Sequence, residues 1–167
     1  MSRYVRSSLV LLVALLSAAC TVTATSEEQE VPAVGAASVD AIELQSSQHC
    51  GLTAPGVVLV RSQAQWRELG RTLRTSLPAE QLPDFDNHWL VIAALGQKPT
   101  GGFSVELADA RQSGDQLELR LRQSAPGPDD MVTQALTTPC SIIRVPAHGW
   151  SELLVSGEAP FPVSRKR

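Results

Sequence analysis

Alternation of apolar and polar residues is the main pattern in this chain, and it predicts a β-rich domain. Side chains of a strand point to opposite faces in turn, so a strand with one buried face has a period of two. This period appears in two segments joined by a turn at Gly114. The apolar residues that share a face are Phe103, Val105 and Leu107 in the first segment and Leu117, Leu119 and Leu121 in the second. A β-hairpin with one buried face and one solvent-exposed face is predicted there.

Shorter apolar runs predict the other strands. "DAIELQ" alternates at Ile42 and Leu44, "VVLVR" covers 57–61, and "CSIIRVP" covers 140–146. The run "HWLVIAAL" at 88–95 is apolar at nearly every position, which favours a central strand that is buried on both faces. "SELLVS" predicts a last strand at an edge of the sheet.

One helix is predicted directly after the run at 57–61. Ser62 suits the N-cap position, and Gln65 stands where a capping box has its third helical residue. The apolar residues near one face of this helix are Trp66, Leu69, Leu73 and Leu77. With one helix and about five to seven strands joined by short turns, the predicted class is α+β: an antiparallel sheet with the helix packed on one face.

The first twenty residues predict an export signal. A basic start, "MSRYVR", precedes the apolar run from Leu9 to Leu16, which is shorter than the roughly 20 residues of a membrane-spanning helix. "LLSAAC" resembles the lipobox of bacterial lipoproteins, in which the cysteine, here Cys20, is acylated and enters the bilayer. Ordinary cleavage near Ala19 is the alternative. Because Thr21 is not an aspartate, the resemblance implies an outer-membrane lipoprotein of the cell envelope, facing the periplasm or the exterior.

Composition divides the chain into four parts. The segment 20–39 is small, polar and acidic without a helix or strand period, so it predicts a flexible tether. The predicted parts are a signal peptide at 1–19, the tether at 20–39, one α+β domain at 40–160 and a basic tail at 161–167. The formal net charge of −3 offers no basic surface for nucleic acid, so no nucleic-acid partner is predicted.

The chemistry-bearing residues do not form a recognised catalytic pattern. Gly101 and Gly102 precede the alternating strand "FSVEL", whereas a phosphate-binding glycine loop leads into a helix, so they predict a turn. No nucleophile elbow or zinc-ligand spacing occurs, and no cofactor or metal is predicted. His88, close to Asp84 and Asp86, is a possible member of a catalytic set, but scattered histidines beside tryptophans are more often packing residues. We therefore predict that the protein is not an enzyme.

Two cysteines remain once Cys20 is acylated. An exported domain lies in an oxidising compartment, where thiols readily form disulfides. We therefore predict a disulfide between Cys50 and Cys140, which pairs both of the remaining cysteines. Two separate buried thiols are the alternative. The bond would connect the start of the domain to its last long strand.

The middle of the chain resembles the C-terminal domain of the protease complex subunit PrcB family. The resemblance runs from "DFDNHWLVIAALGQKPTGGFSVEL" to "APGPDDMVTQALTTPCSIIRVP" and covers about residues 56–146. It includes the pair Asp84 and Phe85, the glycines of "KPTGGF", the proline loop and "TQALTTP". Cys140 departs from the family, in which an aromatic residue is common after the proline, and this departure fits a disulfide with Cys50.

The resemblance implies a non-enzymatic envelope protein that binds or stabilises a partner, such as an exported protease. The contact surface is expected where the motifs converge, at Thr100–Phe103, Pro126–Asp130 and Thr133–Pro139. The predicted contact residues are Thr100, Gly101, Gly102, Phe103, Pro126, Gly127, Thr133, Gln134, Thr137 and Pro139. The alternative is that they only define turns and edge pairing. Other functions left open are a small-molecule or peptidoglycan binding module and an uncharacterised hydrolase.

Overall fold

Strands dominate the fold, which a computed structural model describes for residues 36–74 and 76–167. In chain order the elements of this part are β1 (Ala36–Ser38), β2 (Ile42–Ser47), β3 (Pro55–Val60), α1 (Gln63–Leu69), a 3₁₀ turn (Ala79–Gln81), β4 (His88–Leu95), β5 (Ser104–Ser113), β6 (Gln116–Ser124), β7 (Cys140–Pro146), β8 (Glu152–Ser156) and β9 (Val163–Lys166). The predicted α+β class is confirmed. The predicted signal peptide, Cys20 and most of the predicted tether lie outside the described residues.

The strands form two sheets rather than the single sheet of five to seven strands that was predicted. One sheet has four strands in the order β2-β7-β4-β3, all antiparallel. The other has five strands in the order β1-β5-β6-β8-β9, and only the β6–β8 pair is parallel. Strand β8 therefore lies inside its sheet, so the prediction that it is an edge strand is wrong.

Strand β4 alternates between two hydrophobic cores. Val91, Ala93 and Leu95 face the core between the two sheets. Leu90, Ile92 and Ala94 face the opposite way, into a second core that contains the helix residue Trp66 and the segment after the helix. The near-continuous apolar run of β4 is explained because both of its faces are buried. The fold therefore has three layers: five-stranded sheet, four-stranded sheet, and helix with its following loop.

The helix starts as predicted and ends early. Ser62 Oγ accepts a hydrogen bond from the Gln65 N–H at 3.2 Å, and Gln65 Oε1 accepts one from the Arg61 N–H at 2.7 Å. The helix ends at Leu69 because Gly70 follows as its C-cap and is a poor helix former. Leu73 and Leu77 are buried as predicted, but they project from irregular chain beyond the helix. Among the described residues, no helix has the length and apolar character needed to cross a membrane.

Two segments expected outside the domain contribute edge strands. Ala36–Ser38, within the predicted tether, forms β1 against β5. Val163–Lys166, within the predicted basic tail, forms β9 against β8. Strands of three and four residues carry too little alternation to be recognised in a sequence, and they form because a neighbouring strand offers unpaired backbone groups.

A disulfide joins Cys50 to Cys140 at the start of β7. Their Cα atoms are 5.9 Å apart and both residues are fully buried in the helix-side core. Backbone hydrogen bonds reinforce this connection: the Cys50 N–H donates to Thr138 O at 2.9 Å, and the Arg74 N–H donates to Cys50 O at 2.8 Å. The disulfide therefore fixes the β2–β3 loop to the start of β7, and the Arg74 hydrogen bond attaches the segment after the helix to that loop.

A half-buried carboxylate connects the two sheets. Glu43 on β2 accepts hydrogen bonds from the Leu107 N–H of β5 at 2.9 Å and from the Ser141 hydroxyl of β7 at 3.1 Å. Ser141 is fully buried, and the Leu107 N–H lies at an irregularity in the β5–β6 ladder. Glu43 thus satisfies polar groups that the sheets leave without ladder partners.

We predict that replacing both Cys50 and Cys140 with serine lowers the free energy of unfolding by roughly 4 kcal/mol, because a bond across a long loop restricts the unfolded chain. The sequence separation of the two residues is 90. Urea unfolding followed by tryptophan fluorescence measures the change, with the reduced wild-type protein as the matched control. Thiol titration of the unfolded, unreduced chain, with Cys20 acylated or replaced, should find no free thiol. Two free thiols would contradict the pairing.

Candidate protein-binding surface

The three motif segments predicted to converge do lie together at one end of the domain. The Gly101 N–H donates to Thr133 O at 2.9 Å, and Thr137 Oγ1 donates to Thr100 O at 2.8 Å. Gly102 lies against Pro126 and Val132. We call the residues of 97–103 and 124–139 the motif-loop surface.

The motif-loop surface continues the pairing of β4 with β7. The Leu95 N–H donates to Pro139 O at 2.9 Å. One step further, Lys98 and Thr137 exchange two backbone hydrogen bonds, at 2.9 and 3.0 Å. The loops after β4 and before β7 therefore extend the ladder of the sheet, which gives their backbones a fixed geometry.

The predicted contact residues differ in their exposure to solvent. Three of them, Gly101, Thr137 and Pro139, are buried, and they connect the loops to each other. Gly102, Gly127, Thr133 and Gln134 are exposed, while Thr100, Phe103 and Pro126 are half-buried. The exposed members are accessible to a partner, and their role in binding one stays a prediction.

Local contacts close the proline loop on itself. The Gly127 N–H donates to Asp130 Oδ2 at 2.7 Å, and the Asp130 N–H donates to Gly127 O at 3.2 Å. On the neighbouring segment, Lys98 Nζ lies 5.4 Å from the centre of the Phe103 ring, a cation–π contact. The Asp130 carboxylate and the Lys98 ammonium group therefore stabilise the conformations of their own loops.

Two exposed apolar side chains on this surface were not singled out by the sequence. Met131 is fully exposed, and Leu136 is 64% exposed. Among the described residues, the other exposed large apolar side chain is Ile42, at 45% on β2. An apolar residue inside a polar loop, such as Met131 in "PDDMVTQ", is the only sequence signal that could have found them.

A depression of about 420 Å³ adjoins the motif-loop surface beside Leu136. Its other lining residues include His49, Arg74, Gln97 and Thr138. The depression brings basic side chains next to the exposed leucine.

Of the two predicted neighbours of His88, Asp84 lies beside it and accepts a hydrogen bond from the His88 N–H on its backbone oxygen at 2.8 Å, but the imidazole contacts a different carboxylate. His88 Nε2 lies 3.4 Å from Asp40 Oδ2, and Arg144 donates to the same carboxylate at 3.2 Å. Desolvation raises the pKa of Asp40, but the hydrogen bonds from His88 and Arg144 outweigh it and hold this pKa below its usual range. The side chain of His88 thus belongs to a polar cluster with Asp40 and Arg144 at the start of β4.

Asp84 has a local role in the turn before β4. It accepts hydrogen bonds from the Asp86 N–H at 3.0 Å and from the Asn87 side chain at 2.6 Å, and these bonds lower the pKa of Asp84. His148 Nε2 donates to Asp86 O at 2.9 Å. Within residues 36–74 and 76–167, no three His, Cys, Asp or Glu side chains are grouped so that they could hold a metal ion.

The protein is thus a two-sheet, β-rich domain. Its motif loops are connected by backbone hydrogen bonds and expose the apolar side chains of Met131 and Leu136. Residues 89–146, which run from β4 to the end of β7 and include the motif loops, match the family model described as PrcB C-terminal. The resemblance to the family of the protease complex subunit PrcB is thereby confirmed over these residues. No curated protein and no solved structure matches the chain.

Alanine substitutions at Gly101 and Gly102 test how closely the loops of the motif-loop surface are packed at these two positions. Gly102 has a φ of +86°, and a Cβ there would lie 3.0 Å from Val132 Cγ1 and 3.2 Å from Pro126 Cβ. Gly101 has no positive φ, and a Cβ would make ordinary contact with Thr133 Cβ at 3.5 Å. We predict that Gly102→Ala lowers the free energy of unfolding by about 1–2 kcal/mol, while Gly101→Ala, its matched control, changes it by less than about 0.5 kcal/mol. Urea unfolding measures both, and equal losses would contradict the account.

Proposed function

We propose that this protein is a non-enzymatic envelope lipoprotein that binds or stabilises a protein partner, an exported protease, through the motif-loop surface. The observation that carries the proposal is the exposure of Met131 and Leu136 on loops whose backbones are fixed. The match of this segment to the PrcB C-terminal family supports a role in a protease complex.

The two apolar side chains suit a protein contact for a physical reason. Removing apolar surface from water is worth about 25 cal/mol per Å², so exposed methionine and leucine side chains favour a partner that covers them. Because the loops are held by backbone hydrogen bonds, little conformational entropy is lost when a partner binds. Methionine also adapts its shape to an irregular surface. A contact centred on these residues would have apolar side chains at its core, where protein interfaces are enriched in methionine and depleted of charged residues.

The polar groups of the motif-loop surface favour binding over catalysis. Asp130 accepts from the Gly127 N–H, and the Thr137 hydroxyl donates to Thr100 O, so both groups are engaged in loop geometry. Neither is paired with a base or a nucleophile, as an acid–base site requires. A small-molecule binding module is the second candidate, and the depression lined by His49 and Arg74 is the observation that favours it.

The experiment compares the recovery of a partner by the wild-type protein and by Met131→Ser/Leu136→Ser. The tagged chain is extracted from membranes in mild detergent with its anchor retained, and co-purified proteins are identified. The captured protease is then purified and titrated against each variant. We expect the double variant to bind at least roughly tenfold more weakly, since truncated anchor residues commonly cost more than 1 kcal/mol each.

Ile42→Ser is the matched control, because Ile42 is an exposed apolar residue on β2, outside the motif-loop surface. It should bind like the wild type, and thermal melting should show that both variants remain folded. Equal affinity for all three proteins would rule out this surface as the contact. Recovery of no protein partner would favour the small-molecule module. Hydrolytic turnover that is lost on changing His88 or His148 would favour the hydrolase.

The same membrane preparation tests the anchor. Mass spectrometry of the mature protein is expected to find an N-terminal Cys20 carrying acyl chains, which would hold the domain at the bilayer. Cys20→Ser should move the protein to the soluble fraction. A mature protein that begins at another residue and carries no lipid would overturn this part of the proposal.

A further inference from the structure

Strand β3 forms an open edge of the four-stranded sheet. It pairs with β4 on one side only, over all six of its residues and without a break in register. Strand β4 pairs with β3 on one side and with β7 on the other. The β4–β7 hydrogen bonds show which backbone groups of β4 point toward β3, and so which groups of β3 point outward. The Leu95 N–H donates to Pro139 O, and the Ala147 N–H donates to Asn87 O. Residues 87 and 95 therefore turn their backbone groups toward β7, as do the odd-numbered residues between them.

The even-numbered residues of β4 consequently bond to β3. Their register partners on β3 are Gly56, Val58 and Val60. Val57 and Leu59 must then direct their N–H and C=O groups away from the sheet. Within the described residues, no hydrogen bond reaches these outward groups.

The other sheet edges carry features that discourage strand pairing, and β3 does not. Strand β1 has only three residues, β2 has an irregular register between Glu43 and Gln45, and β9 carries Arg165 and Lys166. Short length, bulges and charge are the usual protections of an exposed edge. Strand β3 is the uncharged sequence PGVVLV, and its proline stands at the first position only. Its edge is therefore suited to accept another strand.

Two grooves lie along this edge. On the helix side, a groove of about 390 Å³ is lined by Val58, Val60 and Leu69 among others. A groove of about 310 Å³ surrounds the start of β3 and is lined by residues of both faces, including Val57, Val58 and Arg165. Side chains of an added strand would alternate between the helix side and the side of the five-stranded sheet, because successive residues of a strand point to opposite faces.

The charges beside the edge identify the kind of strand that fits. Arg165 lines the second groove, and Arg61 follows directly after β3, where its guanidinium donates to Lys166 O at 3.3 Å and lies 5.2 Å from the Trp89 ring centre. None of the ion pairs among the described residues includes Arg61 or Arg165. Glu68, which lines the helix-side groove, pairs with Arg71 at 2.7 Å. The helix-side groove thus offers the apolar side chains of Val58, Val60 and Leu69, while Arg61 and Arg165 supply positive charge beside the two ends of β3.

We propose that an extended segment of a partner protein, with apolar residues alternating with acidic ones, adds to β3 as a further strand. Its backbone bonds to the outward groups of Val57 and Leu59. Its apolar side chains enter the helix-side groove, and its acidic side chains face Arg165 and Arg61. A second copy of this chain fits poorly, since antiparallel pairing of two β3 strands would bring Arg61 of one copy toward the end of the groove where Arg165 of the other lies.

The test uses labelled eight-residue peptides and the full chain in detergent. One peptide alternates valine and glutamate, and the other alternates valine and lysine. Fluorescence anisotropy is expected to show that the acidic peptide binds at least roughly tenfold more tightly, because two cationic side chains face its carboxylates. Hydrogen exchange resolved by residue should show that the Val57 and Leu59 amides exchange quickly in the free protein and slow down when the acidic peptide is bound.

Charge reversal supplies the decisive variant. Arg61→Glu/Arg165→Glu should reverse the preference between the two peptides. If this variant does not fold, Arg61→Gln/Arg165→Gln replaces it and should bind both peptides with equal affinity. Arg120→Glu/Arg122→Glu is the matched control, because it changes the net charge equally on exposed positions of β6 and should keep the wild-type preference.

Two outcomes would overturn the proposal. Either the acidic peptide fails to bind, or it binds without slowing exchange at Val57 and Leu59. The proposal is independent of the motif-loop surface, since Met131→Ser/Leu136→Ser should bind the acidic peptide like the wild type. Loss of protease binding in that double variant with unchanged peptide binding would separate the two surfaces.

Discussion

Burial of the β4–β7 pair on both faces is the constraint on which the rest of this structure depends. A strand with one buried face needs one covering layer, whereas Leu90 to Leu95 present apolar side chains in both directions. One face is covered by the five-stranded sheet and the other by the helix and its following loop. The disulfide lies in the helix-side core, where it fastens the β2–β3 loop to the first residue of β7, and a hydrogen bond from the Arg74 N–H to Cys50 O attaches the covering segment to that loop. Each layer is thus a consequence of the apolar character of two central strands.

The motif-loop surface is an extension of the same strand pair. Where β4 ends and β7 has not yet begun, Lys98 and Thr137 still exchange backbone hydrogen bonds. The loops therefore inherit the rigidity of the most buried part of the fold, although they are at the surface. Met131 and Leu136 are exposed on these loops, between residues whose backbones are held by hydrogen bonds. Positioning of exposed side chains by a rigid scaffold is the usual arrangement at binding sites on loops.

Much of this fold was predictable from local patterns. The period-two alternation identified the β5–β6 hairpin, the continuous apolar run identified β4 as a doubly buried strand, and Ser62 with Gln65 marked the start of the helix. The division into two sheets was not predictable, because the apolar side chains of β4 do not reveal whether a helix or a sheet covers them. The parallel β6–β8 pair joins segments far apart in the chain, and β9 has too few residues to show a pattern. The motif residues revealed where the candidate surface lies, while the exposure of Met131 depends on packing that its neighbours in sequence do not encode.

The most direct test of the double burial of β4 and β7 compares isoleucine-to-alanine variants at three positions. Ile92 lies in the helix-side core and Ile143 in the core between the sheets, both fully buried, whereas Ile42 is 45% exposed. Urea unfolding should show a loss of about 2–5 kcal/mol for Ile92→Ala and for Ile143→Ala, and a much smaller loss for Ile42→Ala. A loss at Ile92 no larger than the loss at Ile42 would contradict the account, since the helix layer would then not cover the second face of the sheet.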